Sequence, residues 1–156
     1  MDLTHELIKS LGAPLYRFFL ARFSTTASED LVQEVFTRLV ISLRNHYDPT
    51  KGTPEALAWG IALNIQKESF RTNRRLPEFR PESPEQTAPA EKAIEFQALR
   101  QAVSKLAPSE ATVMQLVLAD LGITEIAQHL GVPDGTVKSH IHRAKQNLRL
   151  LLGERD

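Results

Sequence analysis

Gly122-Ile-Thr-Glu-Ile-Ala-Gln-His-Leu-Gly-Val-Pro-Asp-Gly-Thr-Val-Lys-Ser-His-Ile-His-Arg-Ala-Lys-Gln-Asn-Leu148 reads as two helices joined by a tight turn. Thr124 to Leu130 places Ile126, Ala127 and Leu130 on one face of a short helix. Gly131 then stops it, because the left-handed position after a helix favours a residue without a Cβ. Pro133-Asp134-Gly135 is turn chemistry, and a second helix is predicted from about Thr136. In it Val137, Ile141, Ala144 and Leu148 stand at i, i+4, i+7 and i+11 and form one apolar stripe. The remaining face carries Thr136, Lys138, Ser139, His142, Arg143 and Gln146. All of these can donate to a phosphate or a base edge, which is what a recognition helix in a major groove requires.

Working outward, the segment from Leu76 to Ala90 holds four prolines and three glutamates with little apolar content. It reads as an extended linker. The predicted organisation is therefore two small helical domains, residues 1–76 and 91–156, joined by an acidic linker over 77–90. No strand alternation occurs, so the predicted class is all-α. In the first domain, residues 3–23 have helical apolar spacing that Gly12-Ala13-Pro14 is expected to interrupt. Ser24 to Ser28 reads as a loop, with Thr26 and Glu29 at capping-box spacing. A helix to about Leu43 follows, burying Leu31, Val35 and Leu39 and leaving Asp30, Gln33, Glu34, Thr37 and Arg38 outside. Thr53-Pro54 is a cap followed by proline at the first helical position. It opens a helix to about Arg75 that starts apolar and ends basic with Lys67, Arg71, Arg74 and Arg75. After the linker, Glu91 to Leu106 is amphipathic, and Pro108-Ser109-Glu110 starts a helix to about Leu118.

Composition narrows the function. The 156 residues contain no cysteine, which excludes disulfides and thiolate metal sites. The start of the chain has no basic segment leading into an apolar run, and no apolar stretch approaches membrane-spanning length. A cytoplasmic protein without membrane insertion is expected. Net charge is zero, yet it is unevenly spread: residues 1–76 carry 10 basic and 8 acidic groups, 77–95 carry 2 and 5, and 131–156 carry 5 and 3. So few cations neutralise few phosphates, and unaided binding to DNA should be weak. A larger partner is implied. His140 and His142 lie about 200° apart around their helix and cannot share a metal, and Asp30 with Glu34 lacks a third ligand. Neither a metal nor a cofactor is expected. No nucleophile stands at a suggestive spacing from a base, so an enzyme is not expected either.

Two motifs carry a family resemblance. Ser28-Glu-Asp-Leu-Val-Gln-Glu-Val-Phe-Thr-Arg-Leu39 resembles region 2 of bacterial RNA polymerase sigma factors of the extracytoplasmic-function group. Leu106-Ala-Pro-Ser-Glu110, Glu125-Ile-Ala127 and Gly135-Thr-Val-Lys-Ser-His-Ile-His-Arg-Ala-Lys145 resemble region 4 of the same group. Where the family often has Gly-Leu-Ser before Glu125, this chain has Asp120-Leu-Gly122, and its start is short.

The resemblance implies core RNA polymerase as partner, through the β′ clamp and the β flap, along with promoter DNA and an anti-sigma factor. Asp30, Gln33, Glu34, Thr37 and Arg38 would dock on the clamp, the alternative being a solvated face. Thr136, Lys138, Ser139, His142, Arg143 and Gln146 would read the minus-thirty-five element. Asn64 would read a flipped minus-ten base beside the loop Tyr47 to Gly52, the alternative being a buried hydrogen-bonding amide. Lys67, Arg71, Arg74 and Arg75 would hold minus-ten phosphates, the alternative being a solvated basic helix end. Trp59 resembles the first of two duplex-wedging tryptophans, but Gly60 replaces the second, so a core role stands beside it. Two other readings fit the sequence less fully: a decoy that sequesters an anti-sigma factor, and a dimeric helix-turn-helix regulator.

Overall fold

The structure is a computed structural model that describes residues 3–72 and 90–153. Its described residues form seven helices and no strand: α1 (Leu3–Leu20), α2 (Thr25–Asn45), α3 (Pro54–Thr72), α4 (Ala90–Ser104), α5 (Pro108–Leu118), α6 (Ile123–Leu130) and α7 (Asp134–Leu151). The all-α class and the order of elements are as the sequence predicts.

α1 runs unbroken through Pro14, contrary to the expected interruption. Proline inside a helix costs about 3 kcal/mol. Against that, Leu7, Leu11, Leu15, Phe18 and Phe19 all lie buried on one side of α1. Each buried side chain contributes about 1.5–3 kcal/mol, so packing outweighs the lost hydrogen bond. The cap of α2 is also displaced from the predicted Thr26–Glu29 box. Ser24 Oγ accepts from the Ala27 backbone N–H at 3.1 Å, and the helix starts at Thr25. α3 begins as expected, with Thr53 Oγ1 accepting from Ala56 N–H at 3.1 Å ahead of Pro54.

α1, α2 and α3 pack side by side. Phe18 meets Phe19 and Trp59 edge to face, with ring centres 5.0 and 5.7 Å apart. In the second half, α6 and α7 form the helix-turn-helix. Gly131 ends α6 at φ 68° and ψ 35°, the left-handed conformation predicted for it. Glu125 accepts from Gly122 N–H at 3.2 Å, and Thr124 Oγ1 donates to Asp134 across the turn at 3.1 Å. Val137, Ala144 and Leu148 bury the inner side of α7.

The two halves are packed together. One apolar core runs from Leu7, Phe18 and Trp59 in the first half to Val113, Leu116, Ile126 and Val137 in the second. The seam is closed by α1 against α5 and α3 against α6. The exposed Arg17 reaches across it, donating to Leu118 O at 3.3 Å and pairing with Asp120 at 3.2 Å.

Candidate nucleic-acid interface

α7 presents its outer side to solvent because its inner side is fixed by burial and by a polar tether to α5. Asn147 donates to Glu110 of α5 at 2.8 Å. Lys138, Ser139, His142, Arg143 and Gln146 are all exposed, and Thr136 is half-buried. Arg143 lies against its own helix, with Nε donating to Ser139 O at 3.5 Å, so its fork is free to turn outward. His140 is half-buried at the helix edge with Nδ1 enclosed and unpartnered. The structure therefore brings the whole predicted recognition face together.

α3 carries a second polar stripe. Leu57, Asn64 and Arg71 stand at seven-residue steps, each about 20° from the next around the helix, with Lys67 one turn from Asn64. Asn64, Lys67 and Arg71 are exposed. The alternative of a buried structural amide at Asn64 is thereby removed. Arg74 and Arg75 lie outside the described residues.

Trp59 requires a correction. It is 4% exposed and packed against Phe18, so its ring belongs to the core and cannot wedge a duplex. Its position in α3 faces Phe18 of α1, the core role that the sequence left open because Gly60 stands where the second tryptophan would be.

The loop between α2 and α3 builds a cleft of about 370 Å³, within the size range of small-ligand pockets. Tyr47, Asp48, Lys51 and Gly52 line it, together with Ser42 and Leu57, which the sequence did not single out. Tyr47 Oη donates to Gly52 O at 3.1 Å. Asp48 accepts from the Thr50 hydroxyl at 2.6 Å and from its backbone N–H at 2.9 Å, and these bonds hold the carboxyl below its ordinary range. Asn64 is not one of the lining residues. It sits about 10 Å further along α3, on the same side as Leu57. The structure thus separates the loop pocket from the amide that the sequence placed beside it.

On α2, Asp30, Gln33, Glu34 and Thr37 are exposed. Thr37 Oγ1 donates back to Gln33 O at 2.9 Å. Arg38 is only half-exposed and tied between Glu34 at 2.7 Å and Glu68 of α3 at 3.0 Å. Its hydrogen bond to Glu68, with that to Glu34, raises its pKa above the usual arginine value. Arg38 therefore braces α2 against α3. Glu68, its partner across the helices, was not legible as such in the sequence, since nothing local marks a contact thirty residues away.

Among the described residues no group of histidine or carboxylate side chains could hold a metal ion. None of their helices is long and apolar enough to cross a membrane.

A helix-turn-helix with an exposed polar outer face, beside a separate polar stripe and cleft, has the geometry of proteins that dock a helix in a major groove. The description "Sigma-70, region 4" matches residues 96–148. The ECF RNA polymerase sigma factor EcfG of Rhodopseudomonas palustris is 30% identical over 97% of this chain and 88% of its own length. RpoE of Cereibacter sphaeroides is 30% identical over 88% and 80%. SigE of Mycolicibacterium smegmatis is 34% identical over 92% of this chain, which spans 59% of that protein. The chain belongs to the ECF RNA polymerase sigma factors. Its fold is shared with CnrH, solved with the cytosolic domain of CnrY (TM-score 0.75, 22% identity, 96% of this chain and 87% of that one). It is shared too with RpoE from Bartonella quintana, solved with the anti-sigma factor NepR (TM-score 0.70, 21% identity, 97% of each chain).

Proposed function

We propose that this chain is an alternative sigma factor that docks on core RNA polymerase in the cytoplasm and directs it to a particular set of promoters. The observation that carries the reading is the pairing, in one chain of this family, of an exposed recognition face on α7 with a separate exposed polar surface on α2 and α3. The chemistry of transcription belongs to the polymerase, and this chain supplies position and sequence choice. Lys138, Ser139, His142, Arg143 and Gln146 read the minus-thirty-five element, with Arg143 able to engage guanine bidentately. Asn64, Lys67 and Arg71 engage the minus-ten strand as it lies along α3, and the Tyr47–Gly52 cleft at the end of that stripe receives an unstacked base. Asp30, Gln33, Glu34 and Thr37 face the clamp, where charge complementarity sets register and on-rate. An anti-sigma factor is the proposed inhibitor, supported by the fold neighbour from Bartonella quintana that was solved with the anti-sigma factor NepR.

Run-off transcription with purified core polymerase on fragmented genomic DNA tests the reading. Specific transcripts that require both this chain and core enzyme are expected. Nanomolar sequence-specific binding by the free chain, with no transcripts from the reconstituted mixture, would overturn it in favour of a dimeric regulator.

A further inference from the structure

The seam between the halves contains a buried polar cluster that neither reading face uses. Gln115 of α5 is fully buried, and its amide donates to Phe18 O of α1 at 3.0 Å and to Gln66 Oε1 of α3. Both of its donors and its acceptor are engaged, which makes it the fastening of the seam. Arg22 is the opposite case. It is only 9% exposed, and Nη1 donates to Gln115 Oε1 at a long 3.4 Å. Its guanidinium lies 4.2 Å from the centre of the Phe70 ring, which in turn stacks on Phe23. Its Nε has no hydrogen-bond partner, and no carboxylate pairs with it among the described residues. Burial pushes its pKa down to about 10. A mostly buried cation with one weak hydrogen bond, one ring face and no carboxylate recovers only part of the cost of leaving water.

We infer that Arg22 is a built-in weak point that keeps the closed packing of the two halves openable. When α5 leaves α1 and α3, the guanidinium regains water, so separation is favoured by the very group that closure buries. Gln115 and the apolar seam hold the closed form, and Arg22 opposes them. The use of such a seam rests on the sigma-factor reading: two surfaces that address separate promoter elements need not stay at one fixed spacing.

The test uses the full chain. Because it has no cysteine, substitutions Ala13→Cys and Gln128→Cys on the exposed surfaces of α1 and α6 accept a dye pair that reports separation of the halves. Arg22→Met keeps an unbranched side chain and removes the charge. It should shrink the open population about tenfold, the lower part of the range seen when buried ion pairs are replaced by apolar groups. It should also slow amide exchange in α5 to match. An open population that is unchanged or larger in Arg22→Met would overturn the inference. If core polymerase engages the open form, its affinity for Arg22→Met falls by the same factor. Equal affinity alongside a shifted distance distribution would overturn the link between seam and docking. Failure of core polymerase to bind even the wild type would sink the sigma reading, while the dye distances still decide the role of Arg22.

Discussion

Reversing the charges at Asp30 and Glu34 together, by Asp30→Lys and Glu34→Lys, separates docking from folding. Asp30 is exposed on α2, and its loss removes no described ion pair. Glu34 pairs with Arg38 at 2.7 Å, but both side chains are near half exposure. Such an i,i+4 surface pair is worth about 0.3–0.5 kcal/mol, and a like-charge pair costs about as much. Arg38 keeps its second partner, Glu68, at 3.0 Å. The total loss is about 1 kcal/mol, small against a domain stability of about 5–15 kcal/mol, and lowers the melting temperature by about 2–4 °C in a chain of this size. At the clamp the same two lysines replace complementary charge with mismatched charge, which costs several kcal/mol. At 1.4 kcal/mol per factor of ten, affinity for core polymerase should fall about a hundredfold or more. Thermal melting and a binding titration with labelled core enzyme measure both quantities on one preparation. Affinity within threefold of wild type would refute the docking assignment, and a melting drop beyond about 10 °C would show that these side chains hold the fold.

Trp59→Ala should cost about 3–5 kcal/mol of stability, while the folded fraction keeps its minus-ten preference; a preference that changes without loss of stability would return Trp59 to the DNA surface. Asn64→Ala, at an exposed position, should change stability by no more than about 0.5 kcal/mol yet lose discrimination at one minus-ten position, as read by a promoter substitution series. Arg143→Ala should cost about 1–3 kcal/mol at one minus-thirty-five position. Lys145→Ala, at a neighbouring exposed cation, should weaken all sequences alike and lower the salt slope by about one. An unchanged minus-thirty-five preference in Arg143→Ala would contradict base reading there.

Local chemistry was enough to read much of this protein. The helix-turn-helix follows from periodicity, a glycine able to stand at φ 68° and a Pro-Asp-Gly turn, all signals contained within a few residues. The exposed face of α7 follows in turn, because a stripe of Val137, Ala144 and Leu148 can only be buried on one side. The start of α3 was legible for the same reason, with hydroxyl and proline adjacent in sequence. Pro14 misled because its cost is local, whereas the packing that outweighs it comes from α2, α3 and α5. Arg38 looked like a free surface cation until α3 brought Glu68 to it. Asn64 and Trp59 stand five residues apart in one helix, yet one faces solvent and the other Phe18. Only the placement of α1 against α3 decides which is which. The seam itself is the clearest case. Gln115 meets Gln66 across 49 residues and Arg22 across 93, and no pattern in the chain announces that they meet. Sequence fixes what each helix buries, since that depends on spacing along one chain; tertiary packing alone decides what each buried side chain is buried against.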